Sequence, residues 1–279
     1  MERAIDAGDW DKVAAVLEAE GNIALQGIEQ LVNTCLVNGC PIGTLDLLVR
    51  NGADCNEENA KGDSPLMIAV FHKKTLEFIR LLIEEASVVD ADPKLVRYLI
   101  SKGADVNSSN QFGNTPLFVC AVENRSGGLA TVLIESGADV TAVDQNGNTC
   151  LVLASERNCS TELLIALLAK SDVNAQNAHG NHALGLACWK GCRVSVVELL
   201  LNNGAKILLR NHDSRTPHQL AKDGRSASQE LLEVLQRAEA EAIHQAAEMV
   251  VKRFSHLDLP IQATEVMTTV VGEGEDSAE

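Results

Sequence analysis

Two histidines and two cysteines, His179, His182, Cys188 and Cys192, are the densest cluster of residue types that could bind a metal or carry nucleophilic chemistry. Imidazole and thiolate are zinc ligands, but zinc sites read from sequence use short paired knuckles, and no CxxC occurs in the chain. A Cys–His nucleophile needs a base and an orienting partner, and the spacing supplies neither. A phosphate loop of the GxxxxGK[ST] type, a nucleophile elbow and an HExxH pair are all missing. Gly272-Glu-Gly274 stands in an acidic stretch that would repel phosphate. The expectation is therefore no catalytic residue, no metal and no cofactor. Recognition by exposed aromatic, arginine and polar side chains is the chemistry left.

The 279 residues carry a formal net charge of -16 and only 3% aromatic residues. So negative a chain repels nucleic-acid backbones and offers no basic patch to anionic lipid, so neither nucleic-acid binding nor membrane insertion is expected. With little aromatic bulk, Ala, Leu and Val must fill the interior, which suits closely approaching helices. The eight cysteines are scattered singly and predict no disulfide framework. The N-terminus lacks the apolar run of a secretory signal, and no apolar run reaches membrane-spanning length. A reducing compartment, cytoplasmic or nuclear, is expected, which would leave the sequons at Asn107, Asn124 and Asn158 idle.

The elements that must position any recognition residues come from an internal repeat. Gly113, Gly147, Gly180 and Ser214 occupy equivalent places, spaced 34, 33 and 34 residues apart, within Asn110-Gln-Phe-Gly-Asn-Thr-Pro-Leu117 and its counterparts. Asn59-Ala-Lys-Gly-Asp-Ser-Pro-Leu66 is an earlier copy, and Gly52-Ala-Asp54, Gly103-Ala-Asp105 and Gly137-Ala-Asp139 form a second anchor. Thr115 or Ser64 can cap a helix, and Pro116 or Pro65 suits its first position. Ala69, Cys120, Ala154, Ala187 and Cys188 supply small packing residues. A second apolar helix follows and ends at glycine in a left-handed conformation. The Asp/Asn…Gly tetrad then turns the chain at a projecting hairpin.

This period and wording resemble the ankyrin repeat, whose signature is T-P-L-H-x-A at about 33 residues. The resemblance is strong from Gly52 to Leu235 and readable upstream. It implies an all-α fold with short β-hairpin tips: a curved solenoid of about seven units, the first truncated, over residues 1–238. Trp10 would shield the end of the stack. Cys150 and Ala183 replace the first-turn proline and His182 the cap threonine, so those helix starts are expected to be less pre-organised. In proteins resembling this one, ligands lie against the hairpin tips and the exposed edge of each first helix. The tips then hold Lys61, Gln111, Phe112, Gln145, Asn146, His179, His212 and Asp213. The helix edges hold Phe71 with His72, Val122, Glu123, Glu156, Arg157, Trp189 and Lys190. Phe112, Trp189 and Arg157 are the expected hot spots, because aromatic and arginine side chains dominate them.

Two segments exceed the repeat. The third unit carries 17 extra residues within 71–93, where Leu76, Ile79, Leu82 and Ile83 predict a projecting helix. At the other end an apolar stripe continues through Ala242, Ala246, Val250 and Phe254, predicting a helix extension over 239–257 that could dock a partner. Residues 258–279 read as an acidic extended or disordered tail. The functional expectation is a non-enzymatic protein–protein interaction module or scaffold that could dock into a larger complex by its C-terminal helix and tail. The alternative is a regulatory ankyrin domain of an enzyme whose catalytic part is not in this chain.

Overall fold

The computed structural model describes residues 2–20, 31–71, 93–123, 127–224 and 227–254. They contain fourteen helices and no strand, only an isolated antiparallel bridge between Val143 and Thr149. The chain divides into two compact units, Met1–Ala178 and His179–Glu279.

The first unit holds α1 (Glu2–Asp6), α2 (Trp10–Glu20), α3 (Leu31–Val37), α4 (Ile42–Arg50), α5 (Pro65–Phe71), α6 (Pro93–Ser101), α7 (Pro116–Val122), α8 (Gly127–Glu135), α9 (Cys150–Glu156) and α10 (Thr161–Leu168). Helices α1, α3, α5, α7 and α9 pack in one row, and each also packs on the next helix described after it. The partners α2, α4, α6, α8 and α10 make the outer layer. The two layers bury an aliphatic core, Leu48, Leu66, Leu99, Leu117, Leu133 and Leu167 among others, with Phe118 as its bulkiest member. Ala69, Cys120 and Ala154 are buried in the inner row, where small side chains let neighbouring helices approach. Trp10 is buried at the start of α2.

Local chemistry sets the helix ends. Thr115 and Thr149 sit in extended conformation, and their hydroxyls accept from the amides of Phe118 and Val152. Ser64 does the same for Met67. Cys150, without proline's fixed φ, still follows a capping threonine. At the far end of α8, Gly137 adopts φ 95°, so the chain reverses while Ala138 N–H donates to the Leu133 carbonyl. Such a left-handed residue is costly for anything but glycine or asparagine.

Helices α8 and α10 meet at Gly127. A β-carbon placed there would lie 2.5 Å from Glu162 Cβ and 2.6 Å from the Glu162 carbonyl carbon, so backbone would have to move. Gly127→Val is expected to lower stability by about 1–3 kcal/mol through this overlap. Chemical denaturation read by circular dichroism checks it. An unchanged midpoint would mean that the two helices separate without cost.

In the second unit, α11 (Ala183–Lys190) packs on α12 (Val194–Asn202) and α13 (Pro217–Asp223), and α14 (Gln229–Phe254) packs on both α12 and α13. Leu184, Val197, Leu200, Ala221, Leu231 and Leu235 form its core. Thr216 and Gln219 make a full capping box at α13. His182 precedes α11 in extended conformation but makes no side-chain cap bond. The 26 residues of α14 span about 39 Å, against about 14 Å for the nine of α12. Of the helical insertion expected within 71–93, residues 72–92 lie outside the described residues, and so does the whole of the tail expected over 258–279.

Candidate interaction surface

Four of the turn tips are each organised by one side chain. Asn59 Oδ1 accepts from the amides of Lys61 and Asp63, at 2.8 and 3.0 Å. Asn110, Asp144 and Asn211 repeat the pattern with the residues two and four positions on. This Asx geometry fixes which residues project, because it satisfies the turn's own amides locally. Neighbouring tips are then stitched together. Gln111 N–H donates to the Lys61 carbonyl and its side-chain amide to the Ala60 carbonyl, while Gln145 donates to the Gln111 carbonyl at 2.7 Å. Both glutamines, predicted as recognition residues, thus also tie the tips into a continuous edge. In the second unit His212 N–H donates to the His179 carbonyl.

Beside these tips the first unit has a recess of about 470 Å³. The last turns of α3, α5 and α7 supply its apolar wall: Val37, Met67, Ile68, Phe71, Val119 and Val122. Asn59, Lys61, Asp63, Asn110, Asn114 and Glu123 give it a polar rim. Four predicted residues, Lys61, Phe71, Val122 and Glu123, are gathered here. Val37, Met67, Ile68 and Val119 were not foreseen. Val119 with Val122 and Glu123, and Met67 and Ile68 with Phe71, follow the three- and four-residue spacing of one helix face. That was the readable signal. No such signal marks Val37, whose helix α3 lies in a weakly patterned part of the repeat.

The other predicted residues of the first unit stand away from the recess lining. Phe112 is 56% exposed at its tip, with Gln111, Gln145 and Asn146 also exposed. Arg157 is exposed just past the end of α9, and Glu156 is half-buried. In the second unit His179, His212 and Asp213 are exposed on tips. Trp189 is 44% exposed at the end of α11, and Lys190 Nζ lies 4.5 Å from its ring centroid. A cation over indole holds that ring's orientation. His72 falls outside the described residues.

On α14, Ala242, Ala246 and Val250 are half-buried, Ala247 is buried and Met249 is exposed. Phe254 closes the helix, and its side chain is not among those described. One unforeseen contact fixes the register of α14. His218 occupies the position held by Leu66 and Leu117 in other repeats, yet it is buried, and its Nδ1 pairs with Glu239. Glu239→Ala strands that imidazole and is expected to cost the second unit about 1–3 kcal/mol. The double replacement His218→Leu with Glu239→Leu should recover most of the loss. Thermal unfolding of the three proteins checks this. If the double variant is no better than the single one, the pair is not what Glu239 contributes.

Of His179, His182, Cys188 and Cys192, only His179 is exposed. All eight cysteines are buried and unbridged. Burial pushes the Cys188 thiol up, with Cys192 beside it adding to the effect, and raises Cys150 likewise. A protonated buried thiol is neither a nucleophile nor a ready metal ligand. Burial holds His182 down to about 4, against a weaker opposing bond to the Lys206 backbone. Among the described residues no group of three or more His, Cys, Asp or Glu side chains could hold a metal ion. Nor is any described helix long and apolar enough to cross a membrane.

Paired helices, capped by Thr-Pro turns and linked by stitched Asx tips, are the architecture of a repeat protein. A model of ankyrin repeats (3 copies) matches residues 31–144, 85–177 and 120–211, and the chain belongs to the ankyrin-repeat family. Among curated proteins it is similar to ankyrin repeat protein OPG189 of variola virus, both that of the isolate Human/India/Ind3/1967 and that of variola virus without a stated isolate. Each is 29% identical over 94 residues, covering 28% of this chain. The match spans 17% of the length of these relatives. Ankyrin repeats generally mediate protein–protein interaction, and the family is typically non-catalytic.

Proposed function

We propose that the chain is a non-enzymatic protein-binding module or scaffold that receives a protein partner on the face made by its turn tips and inner-row helices. The single observation that carries this reading is the recess of about 470 Å³ in the first unit, apolar inside and polar at the rim. Such a recess accepts an apolar anchor side chain, while Lys61 and Glu123 at its rim offer a charged donor and a charged acceptor to the partner. Phe112 on one tip, and Trp189 with Lys190 in the second unit, are further contacts. The net charge of -16 favours a partner with a basic surface through long-range steering. Helix α14, through Ala242, Ala246, Val250 and Phe254, is a second contact by which the chain could be held in a larger assembly. A cytoplasmic or nuclear setting fits the unbridged cysteines, and the charge disfavours nucleic acid.

The test is affinity capture with quantitative mass spectrometry, comparing the full chain with Val122→Glu and with the Phe112→Ala, Trp189→Ala pair. A partner depleted by at least one variant, with folding intact, supports the reading. Partners retained equally by every variant would place the binding face elsewhere. Turnover by the purified chain, abolished by replacing one cysteine or histidine without unfolding it, would end the non-enzymatic reading.

A further inference from the structure

The second unit has its own cleft, of about 910 Å³, between α12, the turn that follows it and α14. Leu201, Ile207, Leu209, Val234, Ala238 and Ala242 give it an apolar floor. Lys206 and Arg237 stand on its walls, together with Glu198 and Glu241. Helix α14 outruns α12 by about 25 Å, so a cleft opened between the two has one wall much longer than the other.

We propose that the cleft is the seat of the chain's own segment 261–271, Ile261-Gln-Ala-Thr-Glu-Val-Met-Thr-Thr-Val-Val271. Three observations choose this occupant. The first is reach. The chain leaves α14 at Phe254, and six residues separate it from Ile261, an extended span of about 20 Å. Ala242 lies about 18 Å back along the helix from Phe254. A segment that reverses after Phe254 therefore arrives beside Ala242 with Ile261 leading, and Pro260 disfavours continuing as helix instead. The run Ile261–Val271 then exceeds the roughly 17 Å of helix between Gln245 and Val234, so it can line the cleft's length.

The second observation is composition. The segment carries Ile261, Val266, Met267, Val270 and Val271 with one charge, Glu265, whereas residues 272–279 are acidic and nearly devoid of large apolar side chains. The apolar part matches the floor, and no Lys or Arg occurs anywhere in 255–279. Glu265 suits Lys206 or Arg237, and the acidic stretch beyond stays in water. The third is tethering. A segment joined to the cleft by a short linker meets it at a millimolar effective concentration, so even weak apolar complementarity fills the site. This goes beyond the interface proposed above: a partner docking over Ala242 has first to displace the segment.

A glutamate-specific protease tests it on the full chain. Cleavage after Glu265 is expected to be at least tenfold slower than after Glu273 or Glu275, at every protein concentration tried. Val270→Asp, which lies outside every helix described and leaves the Glu265–Val266 bond itself unchanged, should bring the rate at Glu265 up to that of Glu273. Ala238→Arg, which fills the cleft from the other side, should do the same. Equal rates at all three sites in the unaltered chain overturn the proposal. So does protection of Glu265 that survives both variants. Protection that grows with protein concentration assigns the cleft to a second copy, and protection appearing only in cell extract assigns it to another protein; either overturns it as well.

Discussion

Between pH 6.5 and pH 4 the chain is expected to lose stability that a His182→Thr variant keeps. His182 is 2% exposed, and its Nε2 has no hydrogen-bond partner. Burial holds the folded imidazole down to about 4, while the bond to the Lys206 backbone pulls weakly the other way. The unfolded chain returns it to about 6.5. Below that pH the unfolded state binds a proton that the folded state refuses, so stability falls as the pH falls and levels off near 4. The full loss is about 3 kcal/mol. Threonine removes the titration and restores the hydroxyl that caps the equivalent helices at Thr115, Thr149 and Thr216. It also leaves a small void and gives up the Lys206 bond, so at pH 7 the two proteins should differ little. The diagnostic quantity is the difference in slope. Carboxylates titrate in the same range but are common to both proteins and cancel. Urea unfolding at pH 7.0 and pH 4.5 measures it. Equal losses in both proteins would show that the imidazole takes up its proton without leaving the fold.

The second large effect is on binding. Val122→Glu sets a carboxylate inside the apolar wall of the recess, beside Glu123. Partner affinity should fall ten- to hundredfold, the effect of losing about 1–3 kcal/mol at a hot spot. Val122 is only half-buried, so the unfolding midpoint should move little. Ile165, 56% exposed on the outer helix α10, provides the control, since Ile165→Glu adds the same charge away from the recess. Calorimetric titration with the captured partner separates the two. A large loss with Ile165→Glu and none with Val122→Glu would move the binding face to the outer layer.

What could be read in advance follows the range of the interactions. Caps, tips and helix stops depend on residues two to five apart, so Asn110, Gly113, Thr115 and Pro116 announced a turn and a helix start in one short run. The pairing of helices followed from the period. The recess was only half legible, because it joins Val37, Met67 and Val119 from three successive repeats. Each repeat alone shows merely a helix edge with an apolar residue on it. The pair of His218 with Glu239 was not legible at all. Its partners are 21 residues apart, and the sequence shows only a histidine where leucine is usual. His182 was visible as a missing cap, but its suppressed protonation comes from burial, which no local pattern encodes.

The proposed binding face is the tips and inner-row helices rather than the outer layer. Photo-crosslinking tests it most directly, with benzoylphenylalanine placed singly at Phe71, at Phe112 and at Ile165 of the full chain. Phe71 and Phe112 are replaced by a residue of their own aromatic kind, and all three positions are exposed. Covalent adducts with the same partner are expected from Phe71 and Phe112 and none from Ile165. Adducts from Ile165 alone would contradict it.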